Sequence, residues 1–569
     1  MKKRNIIFVL LSLVALASFA QPKFASKVMK GIVSVNTYDK QGALLHQGIG
    51  FYIGANGEAV ANYKVFKDAY KAVAIDASGK QLPVDYILGA DDTYSMARFQ
   101  VNTKGNLPLP QVGKNVPLHA QVYILNGSTK DAMQSEQATV ADTSMIQGKY
   151  VYYGLDKKVN DQLMGAPVFN EAGQLMGILH STIGGRSYVL DIRFSEELKI
   201  AAIPNSSASI ALSGTFIPKG LPETAEEALV YVYLKSKSAS NEEYIDITNR
   251  FVATFPKNAE GYLRRATPLI DLLRFDEAEA DMQKYLTLVE DKASGNFNVA
   301  SLIYDKLRLQ PEPAYDKWSY DVAIEYLDKA ISLNASKPAT DDQKAEGIKY
   351  QILKAQMLVA KKDYDAAIQL YETLNQGEQR TPAYLFAISL AKEGRGDSLS
   401  AVIEPLDSAI AMMGEPLPQE AANYVIRRGQ LLANGGKYRE AAQDYNQYAY
   451  LMNNKVSAVF YYERSQIEVN ARMFQQALDD INKALEMAPS NPLYHIERAA
   501  QTLRVNMIDE CIQSCQTAIQ INPSIIDSYR ILGYAQLQKG EKEKARLNLQ
   551  KAVDLGDEGA KKILEMYFK

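Results

Sequence analysis

The sequence predicts a multidomain protein in which an all-β domain precedes an all-α array of helix pairs. From about Lys27 to Ile203, short runs rich in β-branched and aromatic residues alternate with turn residues, which is the pattern of strands. After Glu223 the apolar residues recur at helical spacing until the end of the chain. The chain has 569 residues, 47% of them hydrophobic and 23% charged, so it is long enough for several folded domains.

The strand signal is clearest in four runs, residues 33–35, 122–125, 151–153 and 189–192. Residues 48–53 and 58–63 also alternate as strands do, and Asn56 and Gly57 lie between them. An Asn-Gly pair between two such runs predicts a β-hairpin with a tight turn. We therefore assign residues 21–203 to one all-β domain.

The helical part contains a repeat of about 34 residues. Small residues recur at three positions of each of the last three copies, and a proline closes two of them: Ser465, Ala499 and Gly533; Ala477, Cys511 and Ala545; Ala484, Ala518 and Ala552; Pro489 and Pro523. This spacing fits two helices per copy, with small side chains where the backbones approach most closely and a proline that the second helix cannot include.

This repeat resembles the tetratricopeptide repeat (TPR). The resemblance implies a TPR superhelix of about nine helix pairs over residues 223–556, capped by a last helix over 557–569. The concave surface of such an array binds other proteins or peptides. Most of the abundant tyrosines should fill space between helices, whereas a minority are candidates to line the groove, among them Tyr438, Tyr445, Tyr461 and Tyr462.

A second resemblance lies in the β domain. Residues 48–66 look like the opening of HtrA-type, trypsin-like serine proteases, and residues 95–101 and 162–178 look like the segments that carry the aspartate and the nucleophile of that family. The resemblance implies a trypsin-like double barrel. At the positions of the catalytic histidine, aspartate and serine, however, this chain has Lys64, Ser95 and Met164, and Gln162 replaces the glycine of the oxyanion loop.

These replacements predict a pseudoprotease. The triad needs a hydroxyl that attacks, an imidazole that accepts its proton and a carboxylate that orients the imidazole, whereas a thioether has no proton to lose. A Lys64–Ser95 dyad is the alternative, although its hydroxyl would lie on the wrong side of the substrate cleft. His46, His119 and His180 have no acid or nucleophile beside them in the sequence and are interpreted as ordinary surface or core residues.

Residues 180–185 correspond to the strand and loop that border the substrate pocket in the related proteases. Two interpretations are open for this segment. It is either a purely structural strand and turn, or the edge to which an extended peptide adds as another strand. Residues 204–222, rich in Ser, Gly and Pro, are predicted to be a linker or a strap along the domain junction.

The N-terminus predicts export. Lys2, Lys3 and Arg4 precede a short apolar run, and Ser18 and Ala20 are the small residues of a signal peptidase site, so residues 1–20 are interpreted as a signal peptide cleaved after Ala20. The apolar run is too short for the alternative, an uncleaved anchor, and no other segment is long and apolar enough to span a bilayer. Without a lipid-anchor cysteine, the pattern favours the periplasm of a Gram-negative bacterium.

Charge and cysteine content exclude other classes of function. The formal charge of −3 becomes −6 without the first twenty residues, and no basic run is present, which argues against nucleic-acid binding. Cys511 and Cys515 lie four residues apart on one predicted helix without further ligands at zinc spacing, so we expect two buried apolar residues, with a strained disulfide as the alternative. No metal or other cofactor is expected.

Taken together, the sequence predicts an exported scaffold whose TPR array binds partner proteins, such as components of an envelope complex, and whose protease-like domain is inactive. Two alternatives are open. One is an unorthodox serine endopeptidase whose TPR array recruits the substrate. The other is a periplasmic holdase or assembly factor.

Overall fold

The computed structural model describes residues 22–126 and 134–568. The predicted signal peptide, residues 1–20, lies outside these residues. The chain divides between Val289 and Glu290 into two compact units. The first contains the β domain and the first four helices of the helical part, and the second contains the remaining helices. In the described residues, no helix has the length and apolar character needed to cross a bilayer.

The β domain consists of two closed six-stranded barrels built from antiparallel pairs, which confirms the predicted double barrel. The first barrel has the strand order β1-β2-β3-β6-β5-β4 and follows a short helix, α1 (Ala25–Val28). Its strands are β1 (Ile32–Tyr38), β2 (Leu44–Tyr52), β3 (Glu58–Asn62), β4 (Lys71–Ile75), β5 (Gln81–Asp91) and β6 (Met96–Val101). Phe66 and Phe99 fill its core, with ring centroids 4.9 Å apart.

The second barrel has the strand order β10-β11-β12-β9-β8-β7. Its strands are β7 (Gln121–Asn126), β8 (Gln134–Ile146), β9 (Tyr150–Leu155), β10 (Pro167–Asn170), β11 (Leu175–Ile183) and β12 (Arg186–Asp191). Tyr153, Phe169 and Leu190 are fully buried in its core. The four runs with the clearest strand signal lie in β1, β7, β9 and β12, except that Ile192 begins the 3-10 helix after β12.

The predicted hairpin is present, but its turn is longer than expected. Strands β2 and β3 pair with Gly50 opposite Ala61 and Tyr52 opposite Ala59, so residues 53–57 all belong to the connection. Gly57 has a positive φ of 87°, and a Cβ at this position would lie 2.1 Å from the carbonyl oxygen of Val101. Because that oxygen belongs to the end of β6, barrel closure rather than a two-residue turn determines the conformation here.

The helical part begins at Ala225, and within the described residues it contains nine consecutive helix pairs and a final helix. The helices are α3 (Ala225–Lys235), α4 (Asn241–Thr254), α5 (Ala259–Asp271), α6 (Phe275–Leu288), α7 (Lys292–Leu309), α8 (Tyr320–Ala335), α9 (Asp341–Lys361), α10 (Tyr364–Leu374), α11 (Pro382–Arg395), α12 (Leu399–Met412), α13 (Ala422–Asn434), α14 (Tyr438–Leu451), α15 (Ala458–Asn470), α16 (Phe474–Met487), α17 (Pro492–Arg504), α18 (Ile508–Ile521), α19 (Ile526–Gln538), α20 (Lys542–Asp554) and α21 (Glu558–Tyr567).

The small residues of the repeat lie where helices pack most closely. All nine are buried. A Cβ on Gly533 would lie 2.7 Å from the Cγ atom of Leu549, which leaves no room for a larger side chain. Cys511 and Cys515 are free thiols, both fully buried in the core around α18, as the interpretation of two small buried residues expects.

Residues 204–222 are a strap that packs on the first barrel. The segment begins with helix α2 (Ser206–Ser213), and Ile217, 1% exposed, reaches the barrel core. The amide of Ile87 in β5 donates to the carbonyl of Pro218 at 2.8 Å, and the amide of Gly220 donates to the carbonyl of Ile87 at 2.8 Å. Of the two predicted possibilities, the strap rather than a free linker describes this segment.

Candidate functional site

The three positions that the protease resemblance aligns with a catalytic triad lie in loops of the two barrels. Lys64 lies in a 3-10 helix (Tyr63–Phe66) after β3, Ser95 immediately precedes β6, and Met164 follows a second 3-10 helix (Asp161–Leu163) before β10. A Cβ on Gly165 would lie 3.3 Å from the Cβ of Asn62, so the loop that carries Met164 touches the end of β3. The fold therefore brings the three positions to one place between the barrels.

On the first barrel, the side chain of Asn62 binds both of the positions Lys64 and Ser95. Its Oδ1 accepts hydrogen bonds from the hydroxyl of Ser95 at 3.1 Å and from the amide of Lys64 at 3.0 Å. The amide of Tyr63 also donates to the carbonyl of Ser95 at 2.9 Å. The Ser95 hydroxyl is thus buried and engaged by an amide, and in the described residues the Lys64 ammonium is exposed and has no hydrogen bond or ion pair.

Asn62→Ala is expected to lower the free energy of unfolding by about 1–2 kcal/mol, because the substitution removes a cap and leaves the Ser95 hydroxyl without an acceptor. Urea denaturation of the full chain measures this change. Asn102→Ala on the same barrel is the matched control, since the side-chain amide of Asn102 donates an exposed hydrogen bond to Asp85. Equal effects of the two substitutions would contradict the structural role of Asn62.

On the second barrel, the backbone amides beside Met164 are already bonded. In the serine-protease arrangement, the amide of the nucleophile and that of the residue two positions earlier bind the oxyanion. Here the amide of Gln162 donates to Oδ1 of Asn160 at 3.0 Å, and the amide of Met164 donates to the carbonyl of Asp161 at 3.2 Å. The 3-10 helix between Asn160 and Met164 thereby directs both amides to acceptors within the loop.

His180 belongs to a chain of hydrogen bonds beside these positions. The sequence interpretation missed this chain. Its Nδ1 lies 2.7 Å from the hydroxyl of Tyr152, and that hydroxyl lies 2.6 Å from Oγ of Ser181. Burial lowers the pKa of His180, the backbone carbonyl of Tyr94 opposes this shift, and the positive charge of Lys64 lowers the pKa further. The imidazole is therefore neutral at pH 7 and suited to hydrogen bonding.

In the helical part, the four candidate groove tyrosines differ in exposure. Tyr445 is 3% exposed and packs on the ring of Phe460, with centroids 5.4 Å apart, and burial raises its pKa to about 12. Tyr445 therefore fills the core and is withdrawn as a partner contact. Tyr438, Tyr461 and Tyr462 are half-buried and keep part of their surface accessible.

Arginine–aspartate pairs recur in the helical part at a separation of 16 residues, a regularity that the sequence interpretation also missed. In each pair the guanidinium donates two hydrogen bonds to one carboxylate on the following helix: Arg265 with Asp281, Arg428 with Asp444, and Arg464 with Asp480. In the next repeat Arg498 donates to the hydroxyl of Ser514 at 3.0 Å. Each arginine directly precedes the small residue of its repeat, and this signal was available in the sequence.

The comparisons with known proteins support the repeat. No protein-family model matches the chain. Small glutamine-rich tetratricopeptide repeat-containing protein 2 of Saccharomyces cerevisiae is 28% identical over 87 residues, which are 15% of this chain and 25% of that protein. The DnaJ homolog subfamily C member 7 homolog of Dictyostelium discoideum is 23% identical over 340 residues, 55% of this chain and 58% of that protein. This chain is related to tetratricopeptide-repeat proteins.

Two further matches are limited in extent. Hsc70-interacting protein 1 of Drosophila melanogaster is 30% identical over 82 residues, 14% of this chain and 22% of that protein. The chain thus spans between about a fifth and three fifths of the length of these curated relatives. A solved structure of a serine endoprotease from Yersinia pestis also matches. The match covers 30% of this chain and 62% of that chain, with 18% sequence identity and a TM-score of 0.27. A structural match at that score carries no argument, so the double barrel is assigned from the order of the strands in this chain.

Proposed function

We propose that this protein is an exported scaffold that binds partner proteins through its helix pairs and whose barrels do not hydrolyse peptide bonds. The observation that carries the proposal is the state of the loop around Met164. A thioether occupies the position of the nucleophile, and both neighbouring amides that would stabilise an oxyanion are bonded within the loop. The relationship to TPR proteins supports the binding role.

The alternative Lys64–Ser95 dyad gains no support from the geometry. A base must lie within hydrogen-bond reach of the hydroxyl that it activates. The Ser95 hydroxyl instead donates to Asn62, and the Lys64 ammonium is exposed. Prolonged incubation of the full chain with an unfolded protein substrate should therefore leave the substrate intact. Cleavage that disappears in Lys64→Met would overturn the proposal of inactivity.

Restoring the three side chains should not restore efficient chemistry. The triple variant carries Lys64→His, Ser95→Asp and Met164→Ser. We expect a fluorophosphonate probe to label its introduced serine at least about a hundredfold more slowly than the probe labels the serine of an active serine protease, because loss of one oxyanion donor lowers the rate by about 10²–10³. Adding Asn160→Ala releases the Gln162 amide and should accelerate labelling. Rapid labelling of the triple variant would contradict the role assigned to the bonded amides.

Partner binding is tested in cells that contain the full chain with a C-terminal tag. Chemical cross-linking and recovery should yield specific proteins, and Tyr461→Ala with Tyr462→Ala should reduce their recovery. Tyr450→Ala is the control, because it removes an exposed tyrosine of α14 that is not among the candidate groove residues. Export is tested separately by mass spectrometry, which should find Gln21 as the first residue of the recovered protein. Met1 as the first residue would contradict export.

A holdase role is a second candidate, favoured by the names of two relatives that refer to Hsc70 and DnaJ. Holdase activity predicts that the full chain suppresses aggregation of an unfolding client at stoichiometric amounts. Aggregation that is indifferent to the added protein would remove this candidate and leave the scaffold proposal in place.

A further inference from the structure

A cavity of about 640 Å³ lies in the first unit, between the strap and the helix pair α3–α4. This volume lies within the range of small-molecule sites. The cavity is separate from the positions that correspond to the catalytic triad, and the proposed scaffold function does not use it. Its side chains include an apolar group, three cations and two carboxylates.

The apolar part is formed by both the strap and the helices. Ile217 of the strap and Ile247 of α4 are 1% and 3% exposed and line the wall. Phe216 and Leu234 line the same cavity but are 54% and 42% exposed, so the apolar surface continues out to solvent. Such a surface favours a ligand with an apolar body.

The cationic part consists of Lys219, Lys235 and Arg250. Among the contacts of the described residues, none of the three forms an ion pair. The Lys219 ammonium donates to the carbonyl of Thr215, and the Lys235 ammonium lies 5.6 Å from the ring centroid of Tyr231. The Nε–H of Arg250 is buried and has no hydrogen-bond partner among the residues that the structure describes. The guanidinium of Arg250 thus lines the cavity without a carboxylate partner in the described part of the chain, and a ligand carboxylate beside it would be stabilising.

Two carboxylates of α4, Glu243 and Asp246, also line the cavity. Neither forms an ion pair with the three cations, and the lining side chains carry a formal charge of +1 in total. Burial and the neighbouring Lys235 lower the pKa of Lys219 to about 8, and Glu243 opposes this shift. A ligand with a single negative charge matches this balance better than a doubly charged phosphate does.

We propose that the cavity binds a monocarboxylate with an apolar body, whose carboxylate pairs with the Arg250 guanidinium and lies near Lys219. A free fatty acid and the C-terminal residue of an apolar peptide share this chemistry. Calorimetric titration of the full chain with decanoate, decan-1-ol, N-acetyl-Leu-Leu and the C-terminal amide of that peptide distinguishes the two sources.

At least one acid should bind at least tenfold more tightly than its uncharged counterpart. Binding by decanoate alone identifies the fatty acid as the ligand type, and binding by the peptide acid alone identifies the C-terminus. Arg250→Gln should weaken binding of the acid at least tenfold, whereas Arg186→Gln, which removes an exposed arginine of the second barrel, should not. Circular dichroism establishes that both variants are folded.

Three results would overturn the proposal. Equal binding of acid and uncharged probes by the unsubstituted protein would exclude recognition of the carboxylate. Absence of binding by all four probes would exclude the cavity as a site for this class. Undiminished binding to folded Arg250→Gln would exclude the assigned contact. The first two results use the unsubstituted chain and do not depend on whether a variant folds.

Discussion

Asp480→Asn is expected to lower the free energy of unfolding of the helical part by about 3–5 kcal/mol, the cost of breaking a buried ion pair by removing one partner. Asp480 and Arg464 are 3% and 8% exposed. The guanidinium donates to the two carboxylate oxygens at 2.5 and 2.8 Å. A neutral amide accepts only one of these bonds, and the other carboxyl of the cluster, that of Glu468, lies 4.0 Å from the guanidinium Nε.

The matched control for this prediction is the neighbouring residue. Asp479→Asn makes the same chemical change at an exposed position, where the carboxylate accepts a hydrogen bond from Gln475 at 3.0 Å, and it should change stability by less than about 0.5 kcal/mol. Urea denaturation followed by circular dichroism measures both variants. If the two substitutions have similar effects, the repeated arginine–aspartate pairs do not stabilise the helix pairs in the way we infer.

Glu468→Gln is expected to stabilise the protein increasingly as pH rises. Glu468 is 3% exposed, and within the described part of the chain its Oε2 has no hydrogen-bond partner. Burial, together with the negative charge of Asp480, raises the pKa of its carboxyl to about 8, although Arg464 and Lys483 oppose this shift. In the unfolded chain the carboxyl titrates near its ordinary value of about 4.3.

The sign follows from proton binding. Between about pH 4.5 and pH 8 the folded state keeps the proton on Glu468 and the unfolded state does not, so stability falls as pH rises through this window and levels off above it. At 1.36 kcal/mol per pKa unit, the difference between Glu468→Gln and the parent should grow by about 2–5 kcal/mol between pH 4.5 and 8.5.

Denaturation of both proteins across this range measures the difference, and the comparison cancels titration of the other groups. Glu463→Gln, on the same helix, is the control and should show no such growth, because Glu463 is exposed to solvent. A difference between Glu468→Gln and the parent that is constant with pH would mean that the Glu468 carboxyl is ionised in the folded protein as it is in the unfolded chain.

Together the two predictions identify a polar cluster inside a repeat that otherwise depends on small apolar residues. Arg464, Asp480 and Glu468 occupy the interior of the pair α15–α16, and Asn446 of α14 accepts a further hydrogen bond from Arg464 at 2.9 Å. A buried pair of this kind favours one register between the two helices, because a shift of one helix along the other would separate the donors from the acceptors. The array can then present an accessible surface without its helices sliding.

The sequence by itself determined the order of the domains and predicts which side chains stand at the positions that resemble a protease triad. Both were predictable for local reasons. Small residues such as Ala477 and Ala484 are required where helices approach most closely, so their spacing reports helix pairing directly. Lys64 and Met164 stand inside short motifs, so their chemistry can be interpreted without a structure.

Only the tertiary structure decided what these residues contact. Tyr152 contacts His180 and Ser181, which lie 28 and 29 residues away in the chain, because β9 and β11 both pair with β12. The amides of Gln162 and Met164 are bonded because of the backbone conformation of one loop, which no motif specifies. The burial of Tyr445 and the cavity at Arg250 likewise depend on packing between segments far apart in sequence, because exposure and hydrogen-bond satisfaction are properties of the assembled fold.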